Sequence, residues 1–341
     1  MRRTLTPDQF AMAWSRADGD RIPYPLAVRL SAADNVQRAA QLPALHRWCA
    51  EHLDADLEAA LRVLARPELR AEVFGYGPAA PGTREPGAGD GQTDPFPSGF
   101  GTGPTDLGAD PSGRGTGPRV PETGPSGRRT GPRVPETGLS GFGADPGGSG
   151  AGAARFRAEQ TDAGLYQPDS GLGPPVRVLG AVAGEIAVVA AQAPGSARDR
   201  GGDIRIAVGS ARTFAARLIT PLPRNGPGAL PALTAPLARV AEDSRDLVTV
   251  PVSGPSTPAR IRRLLRAPRD GIGQIVVSVR RNAGALAPFG VLCWIDVAGD
   301  GRYAVRTGTE VEITPVTAES FAGRLRPMLT AAGRVAPRAL W

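Results

Sequence analysis

Residues 260–280 read RIRRLLRAPRDGIGQIVVSVR and place a helix, a stop signal and a strand in one short passage. Residues 260–266 are predicted to form the helix. Ala267-Pro268-Arg269 is predicted to end it, because a proline removes a helix hydrogen bond and is unfavourable inside a helix. Residues 272–280 then form a predicted strand. This passage decides the fold because the same order of signals occurs earlier in the chain.

The earlier passage covers residues 56–75. Leu57, Leu61 and Leu64 lie on one face of a predicted helix over 56–65, Arg66-Pro67 stops it, and residues 69–75 alternate as a strand does. Both passages are followed by three more predicted strands and a helix. In the first half these are strands 176–180, 185–191 and 203–208 and helix 210–219; in the second half they are strands 289–296, 302–306 and 310–314 and helix 317–332. Two further helices are predicted near the start, one opening at Thr6-Pro7-Asp8-Gln9 and one over 34–52.

The repeated order predicts a duplicated α+β fold. Short turns such as Ala183-Gly184 and Ala298–Gly301 join the strands, and parallel strands need long crossovers, so the sheet should be largely antiparallel. Two pseudo-symmetric halves would share it, with the helices on one face. The predicted division is 1–76 for the first part of the N-terminal half, 77–174 for an insert, 175–222 for the rest of that half and 223–341 for the C-terminal half.

The insert has a different composition from the rest of the chain. Residues 78–154 contain 21 glycines and 13 prolines, and Thr116–Gly124 recurs unchanged as Thr130–Gly138. Val120 and Val134 are the apolar positions of this 14-residue repeat, so it cannot stack like a solenoid. A segment with so little to bury cannot offset its ordering entropy, and residues 77–174 are therefore predicted to be disordered.

Charge and composition exclude several function classes. The net charge is +7 and every basic residue is arginine, but the arginines are scattered and do not form a stripe, which argues against nucleic-acid binding. No apolar run approaches the roughly 18 residues of a membrane span, so no membrane insertion is expected. Cys49 and Cys293 lie far apart, which fits a reduced, cytosolic chain better than a zinc site or disulfide framework.

Candidate catalytic groups do not form a recognisable site. His46 and His52 are six residues apart on one predicted helix, off the spacing that two ligands share. Gly271-Ile272-Gly273 precedes a strand, whereas a dinucleotide loop follows one. Asp296 and Asp300 flank a predicted turn, where aspartate is expected for backbone reasons. The sequence therefore predicts a protein that is not an enzyme and uses no metal or cofactor.

Several stretches together resemble the EspG-like family, cytosolic chaperones of the ESX (type VII) secretion systems of actinobacteria. The similarity begins with Leu5–Phe10, Trp14 and Pro23–Leu26 and continues through 61–69 and 264–274. Three stretches of the closing sheet carry the rest: Trp294–Asp296, Gly301–Tyr303 and Ile313–Pro315. The resemblance spans about 5–75 and 176–333, on either side of the insert.

This resemblance implies a function and a set of binding residues. Members of the family cover the hydrophobic tip of a PPE-type substrate, keep it soluble and help to direct it to its own secretion system. The expected partner is thus a PE/PPE- or WXG100-type secreted protein, with secretion-system components as further candidates, and the expected location is the cytoplasm. In the family, a loop after the first long strand and the C-terminal helical part contact the substrate. Carried over, they correspond to Phe74, Tyr76, Val176 and Arg177 around the loop and to Arg324 and Met328 on the last helix.

The insert lies in this same loop and leaves a second interpretation open. Residues 77–174 could themselves be the binding region of an interaction module, since proline-rich extended segments serve as recognition elements. A surface loop also absorbs extra length at small entropic cost, so the insert could simply be tolerated there. Deleting it separates the two interpretations, because chaperone binding would survive only if the folded part carries the site.

Overall fold

In the computed structural model, the strands that end the two predicted helix–stop–strand passages lie side by side at the centre of the sheet. Strand β2 (Leu69–Pro78) pairs antiparallel with β7 (Arg269–Arg280), from Leu69 opposite Val279 to Tyr76 opposite Ile272. The helices before them end at Ala65 and Arg266, as the two proline-containing stops predict. The two halves of the chain therefore meet strand to strand in one continuous sheet.

The structure describes residues 1–17, 21–79, 172–242, 254–281 and 285–336. The predicted insert falls almost entirely on 80–171, outside the described residues. Besides β2 and β7, the elements in chain order are β1 (Arg2–Leu5), α1 (Pro7–Arg16), α2 (Asn35–His52), α3 (Ala55–Ala65), β3 (Leu172–Ala183), β4 (Ile186–Ala197), β5 (Arg200–Ser210), a 3-10 turn (Ala211–Thr213), α4 (Phe214–Ile219), β6 (Leu233–Pro236), α5 (Leu237–Ala241), α6 (Thr257–Arg266), β8 (Leu286–Val297), β9 (Gly301–Thr307), β10 (Glu310–Pro315) and α7 (Ala318–Val335).

The strand order displays the internal duplication. It runs β1-β5-β4-β3-β2-β7-β8-β9-β10-β6, and every neighbouring pair is antiparallel. Reading outward from the centre, β2, β3, β4 and β5 correspond to β7, β8, β9 and β10, and a four-residue strand closes each edge. The predicted α+β class, the antiparallel sheet and the two pseudo-symmetric halves are confirmed.

The helices occupy both faces of the sheet, and the prediction of a single helical face is wrong. On face A, α4 and α7 cover one core that includes Val189 of β4; on face B, α1 and α3 cover another that includes Val188. Neighbouring residues of a strand point to opposite faces. Since the apolar runs of β3 and β4 are continuous instead of alternating, both of their faces must be covered.

Several elements extend beyond the predicted boundaries or were not predicted. Strand β2 continues to Pro78 and β3 begins at Leu172, so the ladder reaches into the predicted insert at both ends. The edge strands β1 and β6 and the short helix α5 were missed. The predicted helix over 210–219 begins with the 3-10 turn, with Ser210 as its N-cap. The proposed domain boundaries stay predictions.

Candidate partner-binding site

Three of the residues predicted around the loop lie together on face B. Phe74 and Tyr76 are two positions apart on β2, so their rings point the same way and stack edge to face, with centroids 5.5 Å apart. Arg177 stands directly opposite Phe74 on β3, and its guanidinium carbon lies 5.9 Å from the Phe74 ring centroid. The antiparallel register of β2 and β3 thus assembles residues that are about a hundred positions apart.

Two residues that the sequence did not indicate complete this cluster. Tyr24, on the segment between α1 and α2, places its ring 5.5 Å from that of Phe74 and is 46% exposed. Arg198, at the β4–β5 turn, lies over the Tyr76 ring at 5.8 Å. Tyr24, Phe74, Tyr76, Arg177 and Arg198 are called the aromatic–arginine patch below. Tyrosine and arginine are enriched among the residues that dominate binding energy at protein interfaces.

A buried glutamine holds the segment that carries Tyr24 against the sheet. The Gln192 side chain accepts from the Ala27 amide at 2.8 Å and donates to the carbonyls of Ala27 at 3.2 Å and Gly202 at 3.3 Å. The Gly201 amide also donates to the Ala27 carbonyl, at 2.9 Å. A Cβ on Gly201 would displace the Gln192 amide from this position, so the glycine leaves room for these hydrogen bonds. The position of Tyr24 is therefore fixed by β4 and β5.

The structure separates Val176 and Met328 from this patch. Val176 lies between Pro175 and Arg177 on β3, so it points to face A and packs against the core there. Met328 on α7 packs on the same core, and a Cβ on Gly290 of β8 would lie 2.6 Å from its sulfur. The predicted site residues accordingly form two groups on opposite faces of the sheet.

Arg324 also lies on α7, at the exposed edge of face A. Its Nη1 atom is 2.8 Å from Oε1 of Glu312 on β10, and Glu312 also pairs with Arg306 at 3.1 Å. Phe321 and Leu325 on the same helix are fully buried, as expected for residues that pack on the sheet. The exposed surface of α7 near Arg324 is therefore polar and charged.

A cavity of about 300 Å³ opens where β2, β3 and β4 end. Most of its wall is apolar and rigid, and Arg177 and Gln192 are its polar lining residues. The apolar wall consists of Gly77, Pro78, Pro174, Pro175, Val176, Val178, Pro194, Pro221 and Pro223. We call it the proline cavity. Proline has a fixed φ and no N–H, so this wall changes shape little and offers few hydrogen-bond donors.

The second half of the chain fixes one wall of the proline cavity. Arg302 on β9 donates from Nη2 to the Pro223 carbonyl at 2.9 Å and forms a buried, two-bond ion pair with Asp296. Pro223 in turn closes against the end of β2, since a Cβ on Gly77 would lie 2.8 Å from Cγ of Pro223. The ion pair thus supports the point where the chain leaves β2.

The electrostatics of the patch centre on Arg177. Burial lowers the pKa of its guanidinium, while nearby Tyr76, Tyr24 and Asp199 act in the opposite direction.

Within the described ranges, no group of three or more His, Cys, Asp or Glu side chains could hold a metal ion. The helices of the described part include none long and apolar enough to cross a membrane.

The sequence and the fold were compared with those of known proteins. The sequence profile of the EspG family matches residues 6–92 and 156–327, on both sides of a gap that lies inside the predicted insert. No curated protein matches the chain. Fourteen chains of solved structures do match it.

One of these structures is the type VII secretion system chaperone EspG5 of Mycobacterium tuberculosis, solved in complex with the PE25–PPE41 dimer. It is 14% identical to this chain, the match covers 100% of this chain and 99% of that one, and the TM-score is 0.50. At this identity the likeness shows the fold. The family profile covers well over half of the chain, so this protein belongs to the EspG family.

Proposed function

We propose that this EspG-family protein is a cytosolic, non-enzymatic chaperone that binds a PE/PPE-type protein and delivers it to a type VII secretion system. The observation that carries the proposal is the match of family and fold along the chain, together with a similar structure solved as a chaperone bound to a PE–PPE dimer. Binding of this kind requires a complementary surface and no reacting groups.

The aromatic–arginine patch and the proline cavity support a binding site at the β2–β3 end of the sheet. Tyr24 presents an exposed ring, and Phe74 and Tyr76 are half-buried beside it. Apolar helix ends dock into such surfaces through a few anchoring side chains. A polar rim is available as well, because Arg198 and the Arg29–Asp199 pair, with an Nη2–Oδ2 distance of 3.5 Å, are exposed.

The second predicted group, Val176, Arg324 and Met328, belongs to face A. Val176 also lines the proline cavity, so it connects the two groups. Arg324 and Met328 lie on α7, which corresponds in this proposal to the C-terminal helical contact of the family. We expect Arg324 and Met328 to contribute to binding only if the partner also contacts face A. A partner that covers only the aromatic–arginine patch on face B would not touch either residue.

Co-expression with a PE–PPE pair from the same genome tests this function. A chaperone should raise the soluble fraction of the PPE protein and elute with the pair as one complex in size-exclusion chromatography. A matched control is the same pair expressed with a F74A/Y76A variant, which should lose both effects while remaining folded. An unchanged PPE solubility with the wild-type protein would contradict the proposal.

A further inference from the structure

Gln192 is a buried amide that bonds with the backbone of a segment far from it in sequence. It lies on β4 and is 7% exposed. Its Oε1 atom accepts from the Ala27 amide, and its Nε2 atom donates to the carbonyls of Ala27 and Gly202. Opposite residues of two antiparallel strands exchange the same pair of bonds through their backbones. Gln192 therefore takes the place of a strand partner for Ala27.

The strand register decides where this segment crosses the sheet. Phe74, Arg177 and Gln192 stand directly opposite one another on β2, β3 and β4. The segment is held at both ends of this row, because the Tyr24 ring lies 5.5 Å from that of Phe74 and Ala27 bonds with Gln192. It therefore passes over β3, the strand that carries Arg177.

Tyr24 depends on this anchor for its orientation. Its ring is 46% exposed, so the core of the protein surrounds only part of it. Leu26 packs the segment against the face B core, but apolar packing is non-directional. Hydrogen bonds constrain direction as well as distance. The bonds that Gln192 makes with Ala27, three residues after Tyr24, therefore fix the direction in which the segment presents the ring.

We propose that Gln192 is a positioning residue of the partner-binding site and that it acts through Tyr24. It holds the Tyr24 ring in the orientation that the partner meets, so the ring does not have to be ordered when the complex forms. Preorganisation of this kind raises affinity without adding a contact. The inference rests on the proposed chaperone function for the identity of the partner.

Fluorine NMR of the full-length protein tests the positioning of Tyr24 without a partner. The chain contains four tyrosines, so each can be followed after incorporation of 3-fluorotyrosine, and the Tyr24 signal is the one absent from Y24F. Q192M removes the hydrogen bonds and keeps a side chain of similar volume. The Tyr24 signal should move in Q192M towards its position in the unfolded protein. An unchanged Tyr24 signal would overturn the proposal.

A second variant disturbs the same hydrogen bonds and leaves Gln192 in place. A Cβ on Gly201 would lie 2.1 Å from Nε2 of Gln192, so G201A should displace the amide from Ala27. The Tyr24 signal should therefore shift in G201A as it does in Q192M. A wild-type signal in G201A would contradict the dependence of Tyr24 on these bonds.

The matched control makes the same substitution at another glutamine of this region. Gln37 accepts from the amide of Ala33 at 3.0 Å, farther along the connection between α1 and α2. Q37M should leave the Tyr24 signal and the affinity for the partner unchanged. A shift as large as that of Q192M would mean that any loosening of the connection moves Tyr24, and it would overturn the assignment to Gln192.

The second experiment measures affinity for a PE–PPE pair by isothermal titration calorimetry. Y24A should weaken binding by about tenfold, the usual effect at a dominant interface residue. Q192M should weaken it by about threefold or more, as expected when a hydrogen bond that orders the site is lost. The double variant Q192M/Y24A should bind as Y24A does, because residues that act through one another are not additive.

The double variant also separates positioning from other roles of Gln192. Gln192 lines the proline cavity, and a direct contact with the partner there would make the two losses of affinity multiply. General destabilisation would likewise weaken binding further in the Y24A background. Either result, or wild-type affinity in Q192M, would overturn the proposal. If the wild-type protein itself does not bind the pair, the proposed function fails, and the fluorine experiment still decides whether Gln192 positions Tyr24.

Discussion

Asp296 and Arg302 form a buried ion pair with two hydrogen bonds, Nε to Oδ1 and Nη2 to Oδ2, both 2.7 Å long. Both side chains are at most 3% exposed. The sequence suggested that Asp296 served the adjoining turn, yet its partner lies across the hairpin on β9. Because Arg302 also holds the Pro223 carbonyl, the pair ties the connection between the two halves to the proline cavity.

The first prediction concerns the stability that this pair provides. R302M leaves the Asp296 carboxylate buried without a partner and should lower the free energy of unfolding by about 3–5 kcal/mol. The double variant D296L/R302M removes both charges and should lose much less. Guanidinium chloride unfolding measures both. Equal losses in the single and double variants would show that the charges do not act as a pair.

The second prediction concerns the glycine opposite Trp294. A Cβ on Gly273 would collide with the Trp294 ring, which is fully buried and meets Phe321 edge to face at 6.3 Å. G273A should therefore destabilise the protein by about 1–3 kcal/mol through overpacking. The matched control is G323A on α7, where a Cβ meets nothing within 4 Å.

G323A should change stability in the opposite direction. Alanine favours a helix interior over glycine by about 0.5–1 kcal/mol, so this variant should unfold at a higher denaturant concentration than the wild type. Gly271 and Gly273 precede a strand in the sequence and do not fit a nucleotide loop, and the Trp294 ring gives the packing reason for a glycine at 273. A tolerated G273A would contradict that explanation.

The third prediction is a loss of stability at alkaline pH. Burial and the hydrogen bond to Asp300 raise the pKa of Tyr303 to about 12, and burial raises the pKa of Cys293 to about 11. In the unfolded chain these groups ionise near their ordinary values, about 10 and 8.5. Each therefore stabilises the folded state below the unfolded pKa, and this contribution is lost as pH rises towards the folded pKa.

Unfolding free energies measured between pH 8 and 12 test this effect. Y303F should flatten the decline above pH 10, and C293A should flatten the part that begins near pH 9. A decline of wild-type size in both variants would exclude these two groups as its cause.

The fourth prediction concerns the anchoring residue of the patch. Phe74 touches Tyr24, Tyr76 and Arg177, so F74A removes the centre of the cluster. It should weaken binding of a PE–PPE pair by about tenfold or more, the usual effect at a dominant interface residue. V36A is the control, because Val36 is 78% exposed on α2 and is not one of the residues of the aromatic–arginine patch. Surface plasmon resonance with both variants gives the comparison.

Local signals in the sequence predicted most of the fold. Thr6 and Thr317 cap α1 and α7 through capping boxes, and the proline-containing stops end α3 and α6 where expected. The strands β1 and β6 were missed because four residues are too few to show a period. The sequences of β3 and β4 contain continuous apolar runs. Such runs indicate strands that are buried on both sides, and they could have predicted helices on both faces of the sheet.

The cluster of candidate binding residues could be predicted only in part from the sequence, because its assembly depends on long-range contacts. Phe74, Tyr76 and Arg177 are candidates through a family resemblance, and the strand register brings them together. Tyr24 joins them through a loop held by Gln192, and no local pattern links residues so far apart in sequence. Val176 was grouped with Arg177 because the two are adjacent, although adjacent strand residues point to opposite faces.

The most direct test of the proposed chaperone function is affinity purification of the tagged protein from a lysate of its native cells, followed by mass spectrometry, beside a version lacking residues 93–155. We expect partner binding on the folded part, outside the residues that the family profile leaves unmatched. Both versions should therefore recover the same PE/PPE-type protein. Recovery by the full-length chain alone would assign binding to the insert, and recovery of no such protein by either version would contradict the chaperone function.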